Sequence, residues 1–330
     1  MVETMKAIRL DGPGSYEVLT PREAPRPVVQ PGWVRIQVKA FGVNESEVTS
    51  RRGESSPDFT YPRILGIECV GIVDAVAEDS TLEVGQQVAT MMGGMGRSID
   101  GSYAEYTLVR EENVIPFTSD LPWGVLGALP EMFQTAYGSL HTGLALEPGQ
   151  SILIRGGTST VGLSAIALAH ELGAHIIATT RNPERADLLH RHGADEVLID
   201  NGNLAEHVRK THTGGLDAAL ELVGLDVLPD TLRTLRLGGI GCFTGALSGV
   251  WTLKEFSPFA VIPNGVRLTR YAGQASDLPA DVFAAQLDAI AADRISPAIA
   301  ATYQGLAGVA DAQRALESGH TPGKHVVTLD

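Results

Sequence analysis

Cysteine, aromatic residues, positive charge and long apolar runs are all scarce in this chain of 330 residues. The two cysteines, Cys69 and Cys242, sit in apolar surroundings (Glu-Cys-Val-Gly and Gly-Cys-Phe). Such thiols read as buried side chains rather than a disulfide framework, which fits a reducing cytosol. Lysine and arginine number 25 against 39 acidic residues, a net charge of −14. That balance excludes the basic patch that nucleic acid or an anionic membrane surface requires. No stretch approaches the roughly 18 apolar residues of a membrane helix. The start, Met-Val-Glu-Thr-Met-Lys, lacks the basic-then-apolar design of a secretory signal, so a cytoplasmic location is expected. Several catalytic signatures are missing as well. There is no His-Glu-x-x-His and no Gly-x-Ser-x-Gly, and none of the seven tyrosines has lysine four residues on.

What is present changes character along the chain. The first 115 residues are β-rich, with short runs at Met5–Leu10, Val34–Ala40, Cys69–Val76, Gln87–Met91 and Tyr103–Val109 punctuated by Pro and Gly. Such frequent turns suit a partly open barrel. From residue 122 the rhythm becomes α/β. Trp123–Gly143 and Ser164–Leu172 have helical spacing, and compact apolar runs follow at Ser151–Arg155, Ile176–Thr180, Glu196–Ile199, Ala218–Leu222, Gly239–Thr244 and Arg267–Tyr271. Alternating strands and helices predict a parallel, doubly wound sheet. After a helix at Pro279–Arg294 the tail returns to β at Ala298–Tyr303 and His325–Leu329, around a helix at Val309–Ser318. The expected α/β architecture therefore has a barrel domain from 1–122 and 274–330, with a nucleotide-binding domain at 123–273 inserted between.

The most informative segment is Ser151-Ile-Leu-Ile-Arg-Gly156-Gly157-Thr158-Ser159-Thr160-Val161-Gly162-Leu163. An apolar strand runs into a glycine-rich turn and then an apolar-faced helix. Gly157 would permit the tight turn, and Ser159 is small enough to let the backbone approach a pyrophosphate. Gly162 would let the helix pack close, with its N-terminal amides offered to the anion together with Thr158, Thr160 and Val161. A second strand ends at Thr180, where an NAD site would carry Asp or Glu. Neutral Thr180, with Arg181 and Arg185 beside it, suits the extra 2′-phosphate of NADPH.

Further segments resemble the medium-chain dehydrogenase/reductase superfamily over nearly the whole chain. Gly42-Val-Asn44-Glu-Ser-Glu47-Val-Thr-Ser-Arg51-Arg-Gly53 is similar to the quinone-oxidoreductase pattern Gly-x-Asn-x-x-Asp-x-x-x-Arg-x-Gly, with Glu47 in place of Asp. Gly66-Ile67-Glu68-Cys-Val-Gly71 resembles Gly-x-Glu-x-x-Gly. Val84-Gly-Gln-Gln-Val88, Gly101-Ser-Tyr-Ala-Glu-Tyr106 and Thr135-Ala-Tyr137 follow in the family's order, as does the Gly-Ala-Asp stretch within Leu189–Ile199. The resemblance implies a GroES-like domain joined to a Rossmann domain, a cofactor of NADPH, and a homodimer joined through sheet edges. The family's zinc ligands correspond to Asn44, Ile67 and Glu131, a set too poor in donors to hold zinc, so no metal is expected.

Without metal or a Tyr–Lys pair, oxidising an alcohol lacks a means of removing its proton. Reducing a quinone, enone or related small carbonyl acceptor asks less, because alignment with the nicotinamide supplies most of the rate. The resemblance places Asn44 as a donor to the acceptor's oxygen and Thr135 at the nicotinamide. Leu222, Val223, Thr244 and Ala246, which end later strands, would meet the ribose and carboxamide. Where enoyl-thioester reductases carry a tyrosine acid this chain has Ser55, leaving Tyr61 as the candidate acid. Arg51 is expected to pair with Glu47 one helical turn away, and Glu68 to order a buried loop. Alcohol, aldehyde or enoyl-thioester turnover, and NADPH sensing without catalysis, remain as alternatives.

Overall fold

The computed structural model describes residues 3–329. It divides into two compact units, the first Met1–Met132 with Gln274–Ala291 and Pro297–Asp330, the second Phe133–Gly273 with Ala292–Ser296. The first unit thus extends past residue 122, to Met132.

The first unit opens with strands β1 (Thr4–Ala7), β2 (Arg9–Leu10), β3 (Arg22–Pro25) and the long β4 (Trp33–Val43), followed by helix α1 (Glu45–Arg52). Then come β5 (Arg63–Ile64), β6 (Glu68–Val76), β7 (Gln87–Met91), β8 (Tyr106–Arg110) and β9 (Val114–Pro116). The expected run Met5–Leu10 is broken at Ile8, which is fully buried and whose N–H donates to the Tyr103 carbonyl instead of a strand partner. In β4, alternate residues from Val34 to Ala40 are buried and the rest partly exposed, the signature of a sheet with one covered face.

The expected helix Trp123–Gly143 is interrupted. It becomes α2 (Trp123–Leu126), α3 (Leu129–Gly138) and a wider π turn at Ser139–Gly143. Pro130, which has no N–H to give the Leu126 carbonyl, accounts for the first break, and Gly127 lets the chain pass close to β4, where a Cβ would stand 2.5 Å from that of Ala40.

The second unit carries β10 (Ser151–Arg155), α4 (Thr160–Leu172), β11 (His175–Thr180), α5 (Ala186–Arg191), β12 (Glu196–Ile199), α6 (Leu204–Thr211), β13 (Leu216–Glu221), α7 (Leu228–Arg233), β14 (Leu235–Phe243), α8 (Pro258–Val261) and β15 (Arg267–Arg270). The strands form one six-stranded sheet in the order β12-β11-β10-β13-β14-β15, every pairing parallel. This is the doubly wound 3-2-1-4-5-6 order, whose ligands gather at the C-terminal ends of the strands near the β10/β13 switch point.

The chain then adds α9 (Ala280–Ala291), β16 (Ile299–Gln304), α10 (Val309–Ser318) and β17 (Lys324–Thr328) to the first unit. There the main sheet runs β16-β17-β4-β6-β7-β9, with β8 also on β4. Strand β17 is antiparallel to β4 with His325 opposite Val43, so Lys324 falls beside the start of α1. Cys69 and Cys242 are both buried, one in each unit. Among the described residues, no helix is long and apolar enough to cross a membrane.

Candidate active site

In the second unit, the chain leaving β10 turns at Gly156, whose φ of +88° is the left-handed conformation that glycine adopts without strain. The turn residue is therefore Gly156 rather than the expected Gly157. Gly157 is a point of close approach: its N–H donates to the Thr179 carbonyl at 3.1 Å, and a Cβ would stand 3.1 Å from the same oxygen. Ser159 caps α4, its Oγ accepting from the Gly162 N–H at 3.0 Å and donating to the Gly156 carbonyl at 2.8 Å. At Gly162 a Cβ would lie 2.4 Å from the Gly156 carbonyl oxygen, so only glycine lets the helix start this close to the turn. Thr160 and Val161 open α4, and their amides have no carbonyl four residues back within the helix. They lie at the positive end of the helix dipole, a setting for an anion.

Strand β11 ends beside this loop, the Gly156 N–H donating to Thr179 Oγ1 at 3.1 Å. The next residue, Thr180, is buried, and its hydroxyl is held by the backbone of Asn182 at 3.1 Å. Arg181 is exposed, and Arg185 is half-buried at the end of a short 3-10 turn.

Beneath the loop lies a residue to which sequence reasoning gave no role, Arg155. It is fully buried, and its guanidinium grips Asp200 with two bonds of 2.7 and 2.8 Å. It also reaches Asp230 and Thr231, each at 3.0 Å. Burial opposes ionisation of Asp200, but the Arg155 hydrogen bonds and charge outweigh it and hold the carboxyl below its ordinary value. The signal available in the sequence was a charged residue closing an apolar strand. Nearby Glu221 is also fully buried, and burial pushes its carboxyl up to about 7 against the opposing bonds from Thr231, Val223 and Gly224.

The residues expected at the nicotinamide end gather on the same sheet edge. A Cβ on Gly156 would meet Leu222 and Val223, and the Leu222 and Val223 carbonyls accept from the amides of Leu247 and Ser248. Ser139 Oγ donates to the Thr135 carbonyl at 2.7 Å and lies 2.9 Å from Thr244 Oγ1. Thr135 and Thr244 are thereby tied through one serine, with Ala246 two residues beyond.

The first unit holds a different cluster. Asn44 caps α1, and its side-chain NH2 donates to Glu68 Oε1 at 3.0 Å and to Glu47 Oε1 at 3.4 Å. Its Oδ1 accepts from Lys324 Nζ at 2.5 Å. Both donor hydrogens expected to serve an acceptor are thus spent on carboxylates, and Asn44 reads as a positioning residue for Lys324. The lysine was missed from sequence. Its side chain is only 2% exposed and lies 2.8 Å from both Glu68 and Glu131. Burial disfavours the ammonium, but the two carboxylates outweigh it and raise its pKa above the ordinary lysine value. Glu68, wholly buried, also accepts from the Glu131 N–H at 2.8 Å and so orders the start of α3, where a loop was expected; burial raises its carboxyl to about 7, with the ammonium opposing.

Two expectations are corrected here. Arg51 does not pair with Glu47; it bonds Gln313 and Glu317 of α10, both at 2.7 Å. Glu47 turns inward to accept from Tyr103 Oη at 2.6 Å and from the amides of Asn44 and Ile67, each at 2.8 Å. Tyr61 donates its hydroxyl to the Ser50 carbonyl at 2.7 Å, so a role as proton donor would first require breaking that bond.

A glycine-rich strand-to-helix turn on a doubly wound parallel sheet, carried by a chain that also folds a separate β unit, is the architecture of two-domain dinucleotide-dependent oxidoreductases. Residues 30–119 match the alcohol dehydrogenase GroES-like domain, and residues 160–290 match the zinc-binding dehydrogenase family. Human quinone oxidoreductase is 30% identical over 240 residues, covering 71% of this chain and 71% of its own. The chain belongs to the medium-chain dehydrogenase/reductase superfamily and is quinone oxidoreductase-like. A phenolphthiocerol/phthiocerol polyketide synthase of Mycobacterium tuberculosis is 26% identical over 98% of the chain, which spans 15% of that much longer protein. The structure of mycobacterial Rv1454c complexed with NADPH superposes with a TM-score of 0.83 at 28% identity, covering 98% of this chain and 99% of that one.

Proposed function

We propose that the protein is an NADPH-dependent reductase of quinones, enones or related small carbonyl compounds that works without zinc. The observation carrying this reading is the Lys324 ammonium, 2.5–2.8 Å from Asn44, Glu68 and Glu131. Asn44 and Glu131 stand at two positions matching the family's metal ligands, and the third such position is the apolar Ile67. A cationic ammonium among the donors neutralises them and would repel a dication, so this set does not fit zinc. No proton-abstracting step through a metal is therefore assigned.

The coenzyme, by contrast, fits. The turn at Gly156, the bare Cα of Gly162 and the first amides of α4 suit a pyrophosphate, and Thr180 with Arg181 favours a 2′-phosphate. NADPH, when bound, supplies the hydride. Thr135, Leu222, Val223, Thr244 and Ala246 are the residues that would hold the nicotinamide, and the oxyanion formed on the acceptor would take its proton from water. Enoyl thioesters are the second acceptor class of the same reading, although Tyr61, the one candidate acid, is held by the Ser50 carbonyl. A homodimer is part of the same reading, because β15 is an outer strand of its sheet and Leu237 and Phe259 in that unit are largely exposed.

The test follows NADPH absorbance against quinones, enones, enoyl thioesters and aldehydes, with and without a strong zinc chelator. Quinone- or enone-dependent oxidation indifferent to the chelator is expected. Loss of turnover on chelation, or tight NADPH binding with no acceptor turned over, would overturn the reading.

A further inference from the structure

At the opposite edge of the second unit's sheet, where the strands begin, three side chains from separate elements converge. His175 opens β11, Glu196 opens β12, and His212 directly follows α6. Their donor atoms all lie within 4.8 Å of one another. His175 Nε2 is 2.9 Å from Glu196 Oε1, and His212 Nε2 is 3.1 Å from the same oxygen. Around a tetrahedral zinc with bonds of about 2.0–2.1 Å, neighbouring ligand atoms stand about 3.3 Å apart. Two of the three edges are therefore already within a few tenths of an ångström of that spacing.

The surroundings are those of a ligand set already aimed. Asp195 Oδ2 lies 3.3 Å from His175 Nδ1 and accepts from the Ile176 N–H at 2.7 Å. A carboxylate beside the far nitrogen favours the tautomer protonated there, which leaves Nε2 for a metal. The backbone is pinned as well, His175 N–H to the Gln150 carbonyl and His212 N–H to that of Val208. Side-chain exposures of 44% for His175, 35% for Glu196 and 22% for His212 leave an entry path and room for a water as fourth ligand.

We propose that His175, Glu196 and His212 form a peripheral site for a divalent transition cation. Two imidazoles and one carboxylate select zinc or a neighbouring borderline metal over magnesium or calcium, which prefer all-oxygen shells. The site is remote from the phosphate loop, since it lies at the start of the strands whose far ends carry the coenzyme residues. Its role is to clamp β12, a four-residue edge strand, to β11 and to the end of α6.

The experiment is zinc titration by calorimetry of tag-free, chelator-stripped protein, with His175→Ala, His212→Ala and Asp195→Asn beside it and NADPH affinity as the check on folding. One equivalent is expected in the wild type. Each histidine variant should bind at least about tenfold more weakly, and Asp195→Asn about tenfold more weakly. At a fixed zinc concentration the rise in Tm should be largest in the wild type and smaller in every variant, and none of the variants should alter NADPH turnover. No heat in the wild type, or wild-type affinity in both histidine variants that still bind NADPH, overturns the proposal. Chelation leaves NADPH turnover unchanged if this peripheral site is the one occupied, which separates its fate from that of the zinc-free mechanism.

Discussion

Replacing Lys324 by methionine keeps the length of the side chain and removes its charge, leaving Glu68 and Glu131 facing each other's field without a counter-ion. Each carboxylate lies 2.8 Å from Nζ. At an effective dielectric near 20, each contact is worth about 6 kcal/mol of attraction. Most of that is offset by the cost of taking the charges out of water, and losing one partner of such a buried set costs about 3–5 kcal/mol. The loss depends on pH in a definite direction. Burial already places the Glu68 carboxyl at about 7, well above the unfolded value, and removing the ammonium raises it further. A carboxyl raised on folding contributes stability below its unfolded pKa and loses it as pH rises through the folded one. The deficit of Lys324→Met should therefore be greatest above about pH 8 and shrink as the medium becomes acid. Urea unfolding followed by circular dichroism across that range measures it, and Glu68→Gln added to Lys324→Met should recover part of the loss. A deficit under about 1 kcal/mol, or one that grows toward low pH, would refute the electrostatic account.

The remaining predictions concern the coenzyme loop and its supports. Gly162→Ala brings a Cβ within 2.4 Å of a backbone oxygen, so the start of α4 must shift; NADPH affinity by fluorescence titration should fall about tenfold, with about 1–3 kcal/mol of stability lost to overpacking. Thr180→Asp with Arg181→Ala should lower the NADPH/NADH ratio of kcat/KM at least about tenfold, some 1.4 kcal/mol, and an unchanged ratio removes the charge argument. Glu221, raised from 4.5 to about 7 chiefly by burial, should cost roughly 3 kcal/mol of stability between pH 4.5 and 7 (about 2.5 units at 1.36 kcal/mol each). Glu221→Gln should flatten that part of the stability–pH curve.

The order of β, α/β and β segments, and the strand–turn–helix at residues 151–172, were legible in the sequence because local periodicity and glycine placement produce them. Ser151–Arg155, Glu196–Ile199 and Val309–Ser318 have the same bounds in sequence and structure. Local reasoning failed where packing between distant segments decides. It put the tight turn one glycine late, and it paired Arg51 with its helical neighbour although α10 offered a part-buried carboxylate and a buried amide more than 260 residues away. Lys324 meets Asn44 across 280 residues only because β17 pairs with β4 in one register. His175, Glu196 and His212 converge because parallel strands start at a common sheet edge. Helix and strand propensity act over a few residues and can be read in order. A buried charge finds its partners through sheet register, which the whole tertiary structure sets.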